Sequence, residues 1–219
     1  MGAFFSRITL WLSFIVAAVW LAAVGSYDFV RDQNRALLEK VDQGEPVTQR
    51  VIEAAIAEIG KLPDDPRLDC VNGFHASAAG LYRGRAYARL DTGDLDGALA
   101  DFEESRQQVR RGLACSPRDA NQWVSYAVAS ANANHLDRPL GDFLSFSRKL
   151  APNEPSVALR RLQLALRMGA AIRPEDREWI EADAALLDNK YYHRRKDALE
   201  VLGMASFDQL QARIGEITR

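Results

Sequence analysis

An all-helical protein, one membrane-crossing helix followed by a solenoid or bundle of antiparallel helix pairs, is predicted by three observations. Ile8 to Tyr27 is a run of twenty residues without a charge, about 30 Å of helix at 1.5 Å per residue and so the thickness of a hydrocarbon core. Downstream, Ala, Leu, Arg, Glu and Gln dominate at helical period, and clusters of β-branched residues are almost absent after Ile59. Breaks bearing Gly, Pro, Asn and Asp divide this pattern into segments with short connections, as antiparallel helical neighbours require.

The apolar run is longer than the 7–15 residues usual for a cleaved signal peptide. It is therefore read as a retained anchor over residues 1–27, although Ala22, Ala23, Gly25 and Ser26 provide the small residues that cleavage would need. Ala18 and Ala22 form a small-xxx-small pair of the kind that lets two anchors approach, a spacing that chance explains in so alanine-rich a stretch. Residues 28–46 form a juxtamembrane helix and linker: Asp28 to Asp42 continues the helix, and Gly44-Glu45-Pro46 ends it.

The helical domain occupies residues 47–219. Its first helix starts near Val47, buries Val51, Ile52, Ala55, Ile56 and Ile59, and stops at Gly60-Lys61-Leu62-Pro63; Pro63 to Gly73 is loop. Phe74–Leu90 and Leu95–Ala114 form a pair around Asp91-Thr92-Gly93-Asp94, and Ala120–Asn134 and Pro139–Leu150 form a second. Pro155 suits a first helical turn and Gly169 the end of that helix. Pro174 opens another through Leu187, which the charged segment Asn189–Leu202 extends. Ser206 with Gln209 three residues later is a capping box for a last helix to Ile217.

Charge and cysteines bear on compartment. The formal net charge is −2, and the 28 Lys and Arg are matched by 30 Asp and Glu, leaving no overall electrostatic footprint for nucleic acid. Arg31, Arg35 and Lys40 follow the apolar run while only Arg7 precedes it, a count that favours a cytoplasmic domain. The two cysteines, Cys70 and Cys115, favour the opposite side, because a bridge between them would close a loop of about 45 residues, contribute about 4 kcal/mol in the chain-entropy model and persist only where conditions are oxidising. Two buried reduced thiols are the alternative. On balance the expectation is a single-pass membrane protein with an extracytoplasmic domain.

Catalytic and cofactor signatures are missing from the sequence. His75, His135 and His193 are isolated, with no HExxH, and no CxxC, GxxxxGK[ST], GxGxxG or GxSxG motif occurs. The carboxylate pairs Asp64-Asp65, Glu103-Glu104 and Glu175-Asp176 are read as turn or first-turn residues, favoured there by the helix dipole. No enzyme activity, cofactor or metal is expected.

The segment Leu81 to Pro155 resembles the tetratricopeptide repeat, a 34-residue helix-turn-helix unit. Gly84 and Tyr87 match its first helix, Gly93 the turn, Ala98 and Phe102 the second helix, with Pro117 closing about two turns late. A second unit matches through Trp123, Tyr126 and Ala127, Asn134 at the turn, Phe143 and the closing Pro152; Pro139 stands where a small residue is usual. The resemblance implies a TPR-like solenoid whose first helices line a surface that holds a protein partner. Here that surface draws on Arg85, Arg89, Gln122, Ser125, Ser130 and Asn132, polar groups suited to a carboxylate or an extended backbone. It further implies a scaffold at a bacterial inner membrane, with its domain in the periplasm, as in accessory parts of envelope polysaccharide or secretion assemblies.

A rival reading rests on Lys190, Tyr191, Tyr192, His193, Arg194, Arg195 and Lys196. These cations and aromatics suit an anionic glycan, a lipid headgroup or an acidic partner segment, or else form a solvated face neutralised by the acidic stretch from Glu175 to Asp188.

Overall fold

The computed structural model describes residues 2–42, 48–62, 70, 73–189 and 193–218, with the backbone alone at 2–10, 27, 31, 39–42 and 170. All regular structure among these residues is helical. The chain divides into two compact units, Met1–Cys115 and Ser116–Arg219.

Unit 1 is built on one continuous helix, α1 (Gly2–Asp42). Its stretch Trp11–Leu38 is long and apolar enough to cross a membrane. Past the apolar run the helix becomes amphipathic: Val30 and Asn34 are buried and Leu37 and Leu38 half-buried, a stripe at i, i+4, i+7 and i+8. This stripe packs on α2 (Gln49–Ile59) and α3 (Phe74–Asp91). Val30 meets Phe74 in a cluster that takes in Ala23, Val24, Ile59 and Leu62. Ile52, Ile56 and Leu81 form a second with Leu37, Leu38, Ala55 and Tyr82. Gly80 permits the close approach, since a Cβ there would lie 2.6 Å from Leu38 Cδ2.

The hairpin of α3 with α4 (Leu95–Cys115) completes unit 1. Gly93 turns it with φ +80°, a left-handed conformation that glycine adopts without steric cost. Ser105 Oγ donates to the Ala79 carbonyl at 2.9 Å, and Tyr87 meets Phe102 edge to face at 5.3 Å. Cys115, the last residue of α4, is joined to Cys70 by a disulfide, with Cα atoms 5.3 Å apart.

Unit 2 contains α5 (Ala120–Asn132), α6 (Leu140–Leu150), α7 (Pro155–Arg167), α8 (Arg177–Asp188), α9 (Arg195–Leu202) and α10 (Phe207–Ile217). Asp119 caps α5 by accepting from the backbone N–H groups of Asn121 and Gln122, and Asn134, at φ 51°, turns the chain toward α6. The α5–α6 hairpin repeats two devices of the α3–α4 hairpin: Ser147 Oγ donates to the Ala120 carbonyl at 2.8 Å, and Tyr126 meets Phe143 edge to face at 5.5 Å. Ser206 caps α10 by accepting from Gln209 N–H, while Gln209 Oε1 reaches back to the Ala205 N–H rather than to Ser206 itself.

Several expectations are corrected. Val51 is 48% exposed, because the buried face of α2 is set by Ile52 and Ile56 four residues apart. The segment after α8 does not extend that helix: Asn189 has ψ 129°, outside the helical region, and α9 begins afresh at Arg195. Glu103 and Glu104 lie in the middle of α4, where Glu103 pairs with Arg106 and Glu104 accepts from Gln108. The Gly44-Glu45-Pro46 linker, Asp64-Asp65 and most of the Pro63–Gly73 loop lie outside the described residues.

Candidate partner-binding surface

Both arginines expected to face a partner are engaged within unit 1. In unit 1 the Arg85 guanidinium forks onto the buried Asp101 carboxylate, Nε and Nη2 at 2.8 and 2.6 Å. That pairing raises the Arg85 pKa above its ordinary value, more than burial lowers it. Arg89 lies 3.3 Å from the same carboxylate and donates to the Gly97 carbonyl. Tyr82, under Arg85, has its phenol pKa raised by burial and by the nearby Glu104 carboxylate.

In unit 2, Ser125 Oγ accepts from Arg160, which also donates to Asn121 Oδ1. Gln122 and Asn132 are half-buried, and Ser130 is fully buried. Gln122 Oε1 and Ser130 Oγ are buried without a hydrogen-bond partner. The six residues therefore divide between the two units, Arg85 and Arg89 in the first and the others in the second.

The basic cluster is reached only in part, since Lys190, Tyr191 and Tyr192 lie outside the described residues. Arg194 pairs with Asp197 at 3.2 Å. Arg195 pairs with Asp188, at the end of the acidic stretch, and stands 4.8 Å over the Phe207 ring. Lys196 is exposed.

A different surface on unit 2 offers an open site. On α5, Trp123 and Tyr126 stand three apart and so share a face; on α6, Phe143 and Phe146 do the same. The four rings form one cluster, Trp123 edge-on to Phe146 at 4.9 Å and stacked toward Phe143 at 6.4 Å. Trp123 Nε1 donates to the Pro117 carbonyl at 2.8 Å, which fixes the indole. Phe143 is buried, but Phe146 remains 41% exposed. Trp123, Phe143 and Phe146, together with Arg138, Asp142, Ser145 and Lys149, border a groove of about 330 Å³. Arg138 lies 5.5 Å over the Phe143 ring.

The groove's one carboxylate is already occupied: Asp142 accepts from Arg173 at 2.7 Å. Its free charge is thus carried by Arg138 and Lys149, which border an aromatic floor. A second groove, of about 520 Å³, shares Ser145 and Lys149 and continues past Arg148 and Trp179. By sequence Phe143 reads only as a packing aromatic; Phe146, Arg138 and Lys149 carry no motif, and the i, i+3 pairing of Phe143 with Phe146 is the available signal.

The ionic framework beneath this surface is internal to unit 2. Arg161 and Asp183, both fully buried, form a two-bonded pair at 2.6 and 2.8 Å between α7 and α8. Arg148 of α6 reaches the same carboxylate, and Arg161 also donates to Ser147 Oγ. Asp176, in the turn before α8, lies against the first turn of α6, where a Cβ on Gly141 would come within 2.1 Å of its carboxylate. Burial pushes the Asp176 pKa up, but donors from the Arg173 side chain and backbone and from Trp179 outweigh it and hold the group below its ordinary value.

Among the described residues no group of three or more His, Cys, Asp or Glu side chains is placed to hold a metal ion. His75 is buried, with Nδ1 donating to Gln108 Oε1 at 2.9 Å, a structural role within unit 1. No protein-family model, no curated protein and no solved structure matches this chain.

Proposed function

We propose that this chain is a membrane-tethered, non-enzymatic adaptor whose helical domain holds an acidic, aromatic-bearing segment of a protein partner in the α5–α6 groove. The observation that carries the reading is the pairing of an open aromatic floor, Trp123 and Phe146, with Arg138 and Lys149, beside a carboxylate already neutralised by Arg173. An aromatic anchor from the partner would pack on the floor, and flanking Asp or Glu would meet the two cations.

The two hairpins α3–α4 and α5–α6 are proposed as TPR-like units. Their matching Tyr–Phe contacts and Ser-to-carbonyl bonds support this reading. Tethering by α1 would raise the effective concentration of the groove toward membrane-borne partners, so that a modest intrinsic affinity suffices. The Cys70–Cys115 bridge supports an oxidising, extracytoplasmic setting, which we propose to be the periplasm.

The test uses the full chain in nanodiscs and fluorescent peptides that carry one Trp or Phe among Asp and Glu, with basic peptides of the same length as reference. Preference for the acidic set, lost by at least about tenfold in Phe146→Ala and in Arg138→Glu with Lys149→Glu, is the expected result. Equal retention of acidic and basic peptides, or unaltered binding by folded variants, would remove the groove from consideration.

A further inference from the structure

Where protein begins to cover α1 fixes how unit 1 meets a bilayer. Trp11, Phe14, Val16, Val19, Trp20 and Leu21 are each 57–68% exposed. Cover begins at Ala23 and Val24, which pack against Ile59 and Leu62 at the end of α2. From Ile8 to Ala22 the apolar helix is about 15 residues, roughly 22 Å long, whereas a hydrocarbon core is about 30 Å thick. Protein must therefore face the remaining depth of about 8 Å.

Contacts along unit 1 show which residues share that level. Phe74 sits beside Val30 and Gly80 beside Leu38, so α3 runs alongside α1 in the same direction. His75 is bonded to Gln108, and Ala79 to Ser105, so α4 returns antiparallel. Arg110 and Arg111 follow Gln108 by two and three residues and so fall at the level of Asp28 and Tyr27, where the apolar run ends. Both are exposed. Lys61, 68% exposed and paired with Glu58, neighbours Leu62 on the α2 side.

We propose that this base of unit 1 sits in the headgroup layer and binds anionic phospholipid, with Lys61, Arg110 and Arg111 taking lipid phosphates around the covered end of α1. The inference rests on α1 being a membrane helix. It adds that unit 1 is held against the bilayer at a fixed height, since α1 is continuous and docked along its polar half. Cations at such a surface are attracted by anionic lipid, and Arg in particular forks onto phosphate.

The experiment places a photoreactive phenylalanine analogue singly at Trp20, Gly60, Ala114 or Leu95 of the full chain. Gly60 and Ala114 are exposed positions at the base that leave the cations intact, and Leu95 is 63% exposed at the far end of α4. Each protein is reconstituted in vesicles of phosphatidylcholine alone or with about one third phosphatidylglycerol, and lipid adducts are measured. Positions 60 and 114 should exceed position 95 by roughly tenfold, and their adducts with phosphatidylglycerol should exceed its molar share severalfold and fall in Arg110→Glu with Arg111→Glu. If position 20 labels lipid while 60 and 114 match 95, or show no preference for the anionic lipid, the base is not a headgroup site. If position 20 fails to label lipid, the membrane-helix reading itself falls, and this inference with it.

Discussion

Replacing Gly141 by Ala sets helix propensity against packing, and the structure decides the sign. In an unobstructed helix this change gains about 1 kcal/mol, because glycine carries the larger backbone entropy loss. Here the new Cβ would stand 2.1–2.4 Å from the Oδ1, Oδ2 and Cγ atoms of Asp176. The carboxylate cannot simply retreat, because it accepts from the Arg173 backbone N–H at 3.0 Å and from Trp179 Nε1 at 3.1 Å, and Asp176 is only 3% exposed. Overpacking costs about 1–3 kcal/mol, and loss of the Trp179 bond to a charged acceptor adds about 1.5–3 kcal/mol. After the propensity gain, Gly141→Ala should destabilise unit 2 by about 1.5–5 kcal/mol.

Urea unfolding of the full chain in detergent, followed by tryptophan fluorescence and circular dichroism, measures the change. The double-mutant cycle isolates its cause. In an Asp176→Ala background the obstruction is gone, and Gly141→Ala should become neutral or stabilise by up to about 1 kcal/mol, giving a coupling of at least about 1.5 kcal/mol. A neutral or stabilising Gly141→Ala in the wild-type chain, or additivity in the cycle, would refute the placement of Asp176 against α6.

Three further outcomes follow from named contacts. Asp176 is more acidic folded than unfolded, so its contribution is present above the unfolded-state value near 3.8 and is lost as the pH falls through the lower folded value; the stability gap between wild type and Asp176→Asn should be open at neutral pH and close from about pH 4 downward, measured by urea titration at several pH values. Asp183→Asn leaves Arg161 buried without its counter-charge and should cost about 3–5 kcal/mol, whereas Arg161→Met with Asp183→Leu should cost clearly less, since it removes both charges together; equal losses in thermal melts would contradict the paired burial. Gly80→Val should press on Leu38 and loosen α1 from α3, read as faster amide exchange at residues 76–82; unchanged protection there would show that α1 does not pack on that glycine.

The helices were legible because their evidence is local. Gly93, Asn134, Pro155 and the Ser206–Gln209 pair each mark a terminus through the conformation or bond that the residue type favours, and the structure uses all four. Asn189 was misread for the same reason in reverse: no Gly or Pro stands between Leu187 and Leu202, so composition carries no break, and the backbone turns out of the helix at an ordinary asparagine. The ionic partners were not legible. Arg85 and Asp101 are 16 residues apart, Arg161 and Asp183 are 22, and Arg173 and Asp142 are 31. Periodicity assigns each to a helix face, but only the packing of one helix on another says which faces meet.

This difference decides how the arginines should be read. A sequence count presents Arg85, Arg89, Arg148, Arg161, Arg173 and Arg195 as a reservoir of binding groups, yet each is held by a carboxylate within its own unit. Their exposure differs, and with it their role. Arg161 and Asp183 are sealed and lock α7 to α8, whereas Arg173 is partly exposed and acts by removing Asp142 from the charge of the groove. A ligand competing for Arg161 would have to open the core, whereas Arg138 and Lys149 are already exposed. Exposed cations beside an exposed ring, rather than the number of cations, therefore mark the surface of unit 2 on which a partner gains the most for the least rearrangement.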